Sequence, residues 1–227
     1  MQIVRPQHTL VDQVYEAILS GIEAGRYGPD ARLIQEELAE LLGVSRQPVQ
    51  QALLLLRSEG VLINAPGRGL MVAPLDQEQV RHVYEIRASL DALAAAKAAT
   101  GNQERARREG PAYLKRGLDA LAREDISEMV AADLAFHHFL YELSGNPLIA
   151  ATAAPHWTYV RCVMRAVLTV AQSPAEIWAE HEAILNAVGN GDATLAKRLS
   201  REHVGLATRI VVAYLSGAEA ERKVRKA

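Results

Sequence analysis

Cysteine is nearly missing from this chain: Cys162 is its only one, so a disulfide framework is excluded. Set in the apolar helical run "YVRCVMRAVL", that thiol reads as buried and inert. Aromatic residues are scarce, at 5%. No apolar run approaches the roughly 20 residues that a bilayer span requires, and "MQIVRPQHTL" lacks the apolar centre of a secretory leader. A soluble, cytoplasmic protein with no membrane partner is expected. Surplus positive charge is also lacking, since 25 Lys and Arg face 27 Asp and Glu. Residues 1–75 are no better, with six basic and eight acidic side chains. Any contact with nucleic acid must therefore come from a few placed arginines rather than from a basic domain. No repeat of about 20 to 50 residues is visible, and no low-complexity linker divides the chain.

What is present is alanine, leucine and helical periodicity. Of the 227 residues, 49% are hydrophobic, enough to bury a core in one large domain or two small ones. "TLVDQVYEAILSGIEAG" places Leu10, Val14, Ala17, Ile18 and Ile22 at helical spacing, with Thr9 as N-cap and Gly25 as a stop. "RLIQEELAELLG" predicts a second helix ending at Gly43, and "SRQPVQQALLLLRSEG" a third, from Ser45 to Gly60. "VLINAPGRGLMVAP" alternates around Pro66-Gly67-Arg68-Gly69 and reads as a small hairpin. This layout is that of a winged helix-turn-helix, occupying residues 1–75. From residue 76 to 227 the pattern is helical only, with six helices expected. Asn146-Pro147, Ser173-Pro174 and Asp192 mark helix starts, and the charged tail "AEAERKVRKA" is expected to fray. The fold class is therefore mainly α: an N-terminal winged helix-turn-helix followed by an all-helical antiparallel bundle.

In the third helix, Val49, Ala52 and Leu56 share one face, while Arg46, Gln50 and Arg57 line the opposite one. The recognition helix of a helix-turn-helix enters the major groove N-terminus first. Ser45, Arg46, Gln47 and Gln50 occupy that end, and their chemistry fits: arginine pairs with guanine, glutamine with adenine, and serine reaches a phosphate. Taken alone, the stretch reads equally well as a capped surface helix of a bundle. Its flanks add more. "EELAELLGVSRQPVQQAL" followed by "EGVL" and "PGRGLMV" closely resembles the GntR family of bacterial transcription regulators over residues 10–73. By that resemblance Ser45 and Arg46 contact DNA, as do Arg68 and Gly69 at the wing tip. Gln50 departs from it, standing where the family usually has arginine. The operator is expected to differ at the base pair that this side chain faces.

Asp133 and His137 are one helical turn apart in "ADLAFHHFL". His181 and His203 lie at similar distances from the turn around Asn190 to Asp192, which levels their imidazoles in an antiparallel helix pair. Each histidine singly reads as a core or surface side chain, but together one carboxylate and three imidazoles could close around one ion. Residues 76–215 resemble the helical FCD-type effector domain of the FadR branch, in its smaller six-helix form. The resemblance rests on "EIRASLD", "DLAFHHFLYELSGNPL" and "AEHEAILNAVGNGDATLAKRLSREHV". It implies that Asp133, His137, His181 and His203 bind a divalent transition metal, and this donor set suits Zn²⁺ or Ni²⁺ foremost. It also implies a small carboxylate effector, for which Arg87 and Arg161 are the pairing partners considered. Asp91 stands where the family usually has glutamate.

Three function classes follow. The first is a ligand-responsive regulator, a repressor that binds palindromic double-stranded operator DNA as a homodimer. The second is a metal-stabilised regulator with no small-molecule effector. The third is a metalloenzyme, against which stands the helical phase of Glu182, about 100° from His181. No catalytic residues are assigned.

Overall fold

The computed structural model describes residues 9–170 and 174–226, with side chains described over 9–169 and 174–217. The chain divides into two compact units, Met1–Pro74 and Leu75–Ala227.

The first unit opens with α1 (Leu10–Glu23). Thr9 starts it: its hydroxyl accepts from the Asp12 amide at 3.2 Å, and the Asp12 carboxylate accepts from the Thr9 amide at 2.8 Å. This reciprocal pair satisfies two amides that the first turn leaves without partners. Next come β1 (Arg32–Leu33), α2 (Gln35–Leu42), α3 (Arg46–Ser58), β2 (Leu62–Asn64) and β3 (Leu70–Val72). The expected second helix loses its first residues to β1, which completes a sheet of order β1-β3-β2. Leu33 is buried there and pairs with Leu70, so the outer edge of β3 is covered. Gly43 ends α2 in the left-handed region at φ 65°, which turns the chain into α3. Val14, Ile18 and Leu19 of α1 are buried, as are Val49, Ala52, Leu53 and Leu56 of α3, and the two helices pack together. The wing turn needs Gly67 and Gly69 at φ 91° and 92°. Arg32 pins it by donating to the Pro66 carbonyl at 2.7 Å.

The second unit holds α4 (Gln77–Gly101), α5 (Gln103–Ala122), α6 (Ile126–Leu143), α7 (Pro147–Ala153), a 3-10 turn (Ala154–His156), α8 (Trp157–Val170), α9 (Pro174–Gly189) and α10 (Ala193–Lys226). Three expectations are corrected. The helix after Asn146 is broken into α7 and α8 around Pro155, which cannot donate to a helical carbonyl and clashes with the preceding turn. Consequently the unit does not have the expected six helices. The second expected helix begins at Gln103 rather than Gly110, and Pro111 lies in its interior. Finally, α10 runs past Gly217 to Lys226 instead of ending there. The Asn146 and Asp192 caps form as expected, accepting from Leu148 at 3.1 Å and Leu195 at 2.9 Å. Ser173 lies outside the described residues. Cys162 is half-buried rather than fully buried. The core has two parts: one around Tyr84, Tyr141, Val163, Val167 and Val211, the other around Phe136, Leu140, Ile184 and Val188. α4 lies along α10, and α5 lies against α6 and α9.

Candidate functional site

On α3, Pro48, Val49, Ala52, Leu53 and Leu56 face the core, while Ser45, Arg46, Gln47, Gln50 and Arg57 are exposed. Ser45 occupies the N-cap position without a side-chain cap bond. Arg46 is ion-paired with Glu36 of α2, both about two-thirds exposed. Arg57 approaches Asn64 of β2 at 3.5 Å. Arg68 and Gly69 are exposed at the wing tip. The helix thus presents amides, a hydroxyl and guanidinium groups on one side, held by an apolar side that leaves it little freedom to rotate.

In the second unit the structure brings Asp133, His137, His181 and His203 together, all buried, with one donor atom from each lying within 4.8 Å of the others. α6 supplies Asp133 and His137 one turn apart. α9 and α10 form an antiparallel pair turned at Gly191 (φ 78°), which sets the His181 and His203 rings 4.6 Å apart. His181 Nε2 is 3.2 Å from His203 Nε2 and 3.3 Å from Asp133 Oδ1, and His137 Nε2 is 3.8 Å from the same oxygen. Donors bonded at about 2.1 Å to one ion stand roughly 3 to 4 Å apart, so the set, spread over 4.8 Å, takes an ion once its widest pair closes by about 0.8 Å. Both Asp133 oxygens and His137 Nε2 are buried without hydrogen-bond partners. Such groups are costly to leave unsatisfied, and a cation satisfies them at once. Burial, reinforced by His203, His137 and Arg87, holds the His181 pKa well below its ordinary value. Burial and Arg87 likewise lower that of His137, against the opposing pull of Asp91 and Asp133. Neutral imidazole is the form that ligates.

Sequence reasoning did not find the groups behind these candidate ligands. Glu180 accepts a hydrogen bond from His203 Nδ1 at 2.6 Å, leaving Nε2 for the cluster. Asp91 Oδ2 lies 3.0 Å from His137 Nδ1, and Asp91 Oδ1 accepts from the Tyr141 hydroxyl. Burial pushes the Asp91 carboxyl up, but His137, Arg87 and Tyr141 outweigh it, so its pKa falls below the ordinary value. Arg87, expected as an effector contact, is 5% exposed, with Nε 3.5 Å from Asp91 and Nη2 3.8 Å from Asp133. Arg161 is half-buried on α8. Glu182 is exposed, as its helical phase implies. Phe136 stacks on the His181 ring at 4.3 Å, and Trp178 meets that ring edge-on at 4.9 Å. No helix of the described residues is long and apolar enough to cross a membrane.

Comparison with known proteins agrees with this two-part architecture. Residues 10–72 match the model of bacterial regulatory proteins of the gntR family, and residues 82–206 match the FCD domain. An HTH-type transcriptional regulator from an unstable DNA locus of Streptomyces ambofaciens is 33% identical over 186 residues, covering 78% of this chain and 74% of its own. The HTH-type transcriptional regulator McbR of Escherichia coli is 28% identical over 149 residues, covering 66% and 67%. The solved structure of E. coli McbR/YncC superposes with a TM-score of 0.75 at 25% identity, covering 91% of this chain and 99% of that one. These relatives are transcription regulators, not enzymes. The chain therefore belongs to the GntR family, as a transcriptional regulator that joins a gntR-type helix-turn-helix to an FCD domain.

Proposed function

We propose that the protein is a ligand-responsive repressor of the FadR branch, acting in the cytoplasm as a homodimer on a palindromic operator. One observation carries the DNA half of this reading: the exposed N-terminal end of α3, with Ser45, Arg46, Gln47 and Gln50 on the side opposite the buried face. Arg46 trades its exposed pairing with Glu36 for a guanine edge or a phosphate, at little cost because such surface pairs contribute only about 0 to 1 kcal/mol. Arg57, Arg68 and Gly69 take up backbone contacts, and Gln50 faces a base pair. Two heads place these few cations on half-sites about one helical turn apart. In the helical unit, Asp133, His137, His181 and His203 hold a divalent transition metal, with Zn²⁺ or Ni²⁺ suited best. When bound, the ion fixes three helices together and offers a site of positive charge. Arg87, and Arg161 as a second partner, hold the carboxylate of a small effector. Effector binding then shifts DNA affinity by about 1 to 3 kcal/mol of coupling between the two units.

Selection of binding sequences from a random duplex pool, by the wild type and by Gln50→Arg, tests this reading. The expected result is an inverted repeat for both, with guanine more frequent in the Gln50→Arg sequences at the pair that residue 50 faces. Enrichment of no sequence by the wild type overturns the operator reading. Identical motifs overturn the role of Gln50.

A further inference from the structure

We propose that Leu54 is a further specificity-determining residue of α3, its side chain seated on the C5 methyl of a thymine in each half-site; this rests on the operator reading above. Leu54 is 41% exposed, whereas Leu53 and Leu56 of the same helix are buried in the core. At about 100° per residue, Leu54 lies about 20° from Gln47 and about 40° from Gln50, so these three side chains share the middle of the exposed face. Arg46 and Arg57 fall about 80° and 60° to one side of it. Leu55, 44% exposed, falls about 100° to the other side, next to the buried Pro48. The midline of the face therefore runs through two amides and ends in an apolar chain.

Chemistry decides what such a chain can do in a groove. Phosphate and sugar are held by hydrogen-bond donors, and leucine has none, so Leu54 adds nothing to placement on the backbone. In the major groove thymine alone carries a methyl group, and apolar side chains recognise it. Leu54 stands one turn, about 5.4 Å, beyond Gln50 and seven residues, about 10.5 Å, beyond Gln47. The groove is about 12 Å wide, and some recognition helices touch base edges over a span of seven residues. Base pairs are spaced about 3.4 Å apart, so one helical turn carries the contact from the pair facing Gln50 to one or two pairs further along. Closing on a methyl group covers apolar surface that its own unit leaves open. Gln50 and Leu54 then divide the reading, an amide for adenine and an apolar contact for thymine. A helix with few cations gains selectivity this way without gaining affinity for every phosphate.

Fluorescence anisotropy of the full-length protein, on the duplex that the wild type enriches from a random pool, tests this. Each thymine of the half-sites is replaced in turn by deoxyuridine, which removes the C5 methyl and nothing else. At one position per half-site the wild type is expected to bind about fourfold more weakly, the worth of one buried methyl group. Leu54→Ala is expected to bind the thymine and deoxyuridine duplexes equally, with its melting temperature little changed. Leu54→Gln, which keeps chain length and helix propensity, is expected to do the same. Leu55→Ala, of similar exposure but off the midline, keeps the fourfold difference. An enriched duplex with no thymine sensitive to methyl removal, or equal sensitivity in the wild type and both Leu54 variants, overturns the inference and leaves the operator reading standing. Loss of sensitivity in Leu55→Ala as well points to a loosened helix rather than a methyl contact, and overturns it too. Enrichment of no sequence overturns the operator reading itself, and the inference with it.

Discussion

Glu180 is the sequence neighbour of one candidate ligand, His181, yet it serves another, His203, across the α9 and α10 pair. A hydrogen bond at the far nitrogen fixes the tautomer and aim of a ligating imidazole, and losing one typically weakens a metal about 10- to 100-fold. Glu180 is a third exposed, so water replaces part of what it gives. Glu180→Ala is therefore expected at the low end, about tenfold weaker in zinc affinity by competition with a chromophoric chelator, with the melting temperature of the metal-free protein little changed. Unchanged zinc affinity would show that His203 keeps its orientation without this partner. The clustering of the four side chains was legible, because Asp133 and His137 share a helical turn and His181 and His203 are levelled by the hairpin. Their supports were not. Asp91 and His137 meet from different helices 46 positions apart, and no local spacing records that encounter.

At the scale of elements, α5 approaches α9 where glycine removes the side chain. A Cβ on Gly117 would fall 2.1 to 2.3 Å from ring atoms of Trp178, and one on Gly110 would fall 2.5 Å from Leu185. Trp178 in turn touches the His181 ring, so the closeness of these helices bears on the Asp133, His137, His181 and His203 cluster. Gly117→Ala is expected to destabilise the fold by about 1 to 3 kcal/mol in urea, through overpacking, and to weaken zinc binding as Trp178 is displaced. Gly101→Ala is the control: its Cβ would meet nothing within 4 Å, so neither quantity should fall. Equal behaviour of the two variants would remove Gly117 from any role in the cluster. Helix type was readable throughout this unit from periodicity, but its breaks were not. Gly110-Pro111 looks like a helix start, and only the seat of Gly110 against Leu185 shows why a helix runs through it. Pro155 looks like a residue inside one long helix, and the chain instead breaks there. In the first unit, β1 was hidden because two residues are too few to show alternation.

For the molecule as a whole, charge sets how DNA is held. The first 75 residues carry more acid than base, and three arginines per head, Arg46, Arg57 and Arg68, lie on the exposed face. If all six of a dimer meet phosphates, log affinity falls against log salt with a slope no steeper than about −5. Fluorescence anisotropy of an operator duplex between roughly 50 and 200 mM salt measures this. A much steeper slope would mean that other cations contribute. In the proposed homodimer, two heads together would supply affinity that one acidic head lacks. The position of Arg87, 3.8 Å from a candidate ligand's carboxylate, bears on the effector reading proposed above. An effector anion that draws Arg87 away from Asp133 would leave that carboxylate more basic toward a cation. Linkage makes the effect mutual, so the ion tightens the anion by the same factor. The regulator would then answer to the product of two concentrations, and a cell short of the metal would be deaf to the acid.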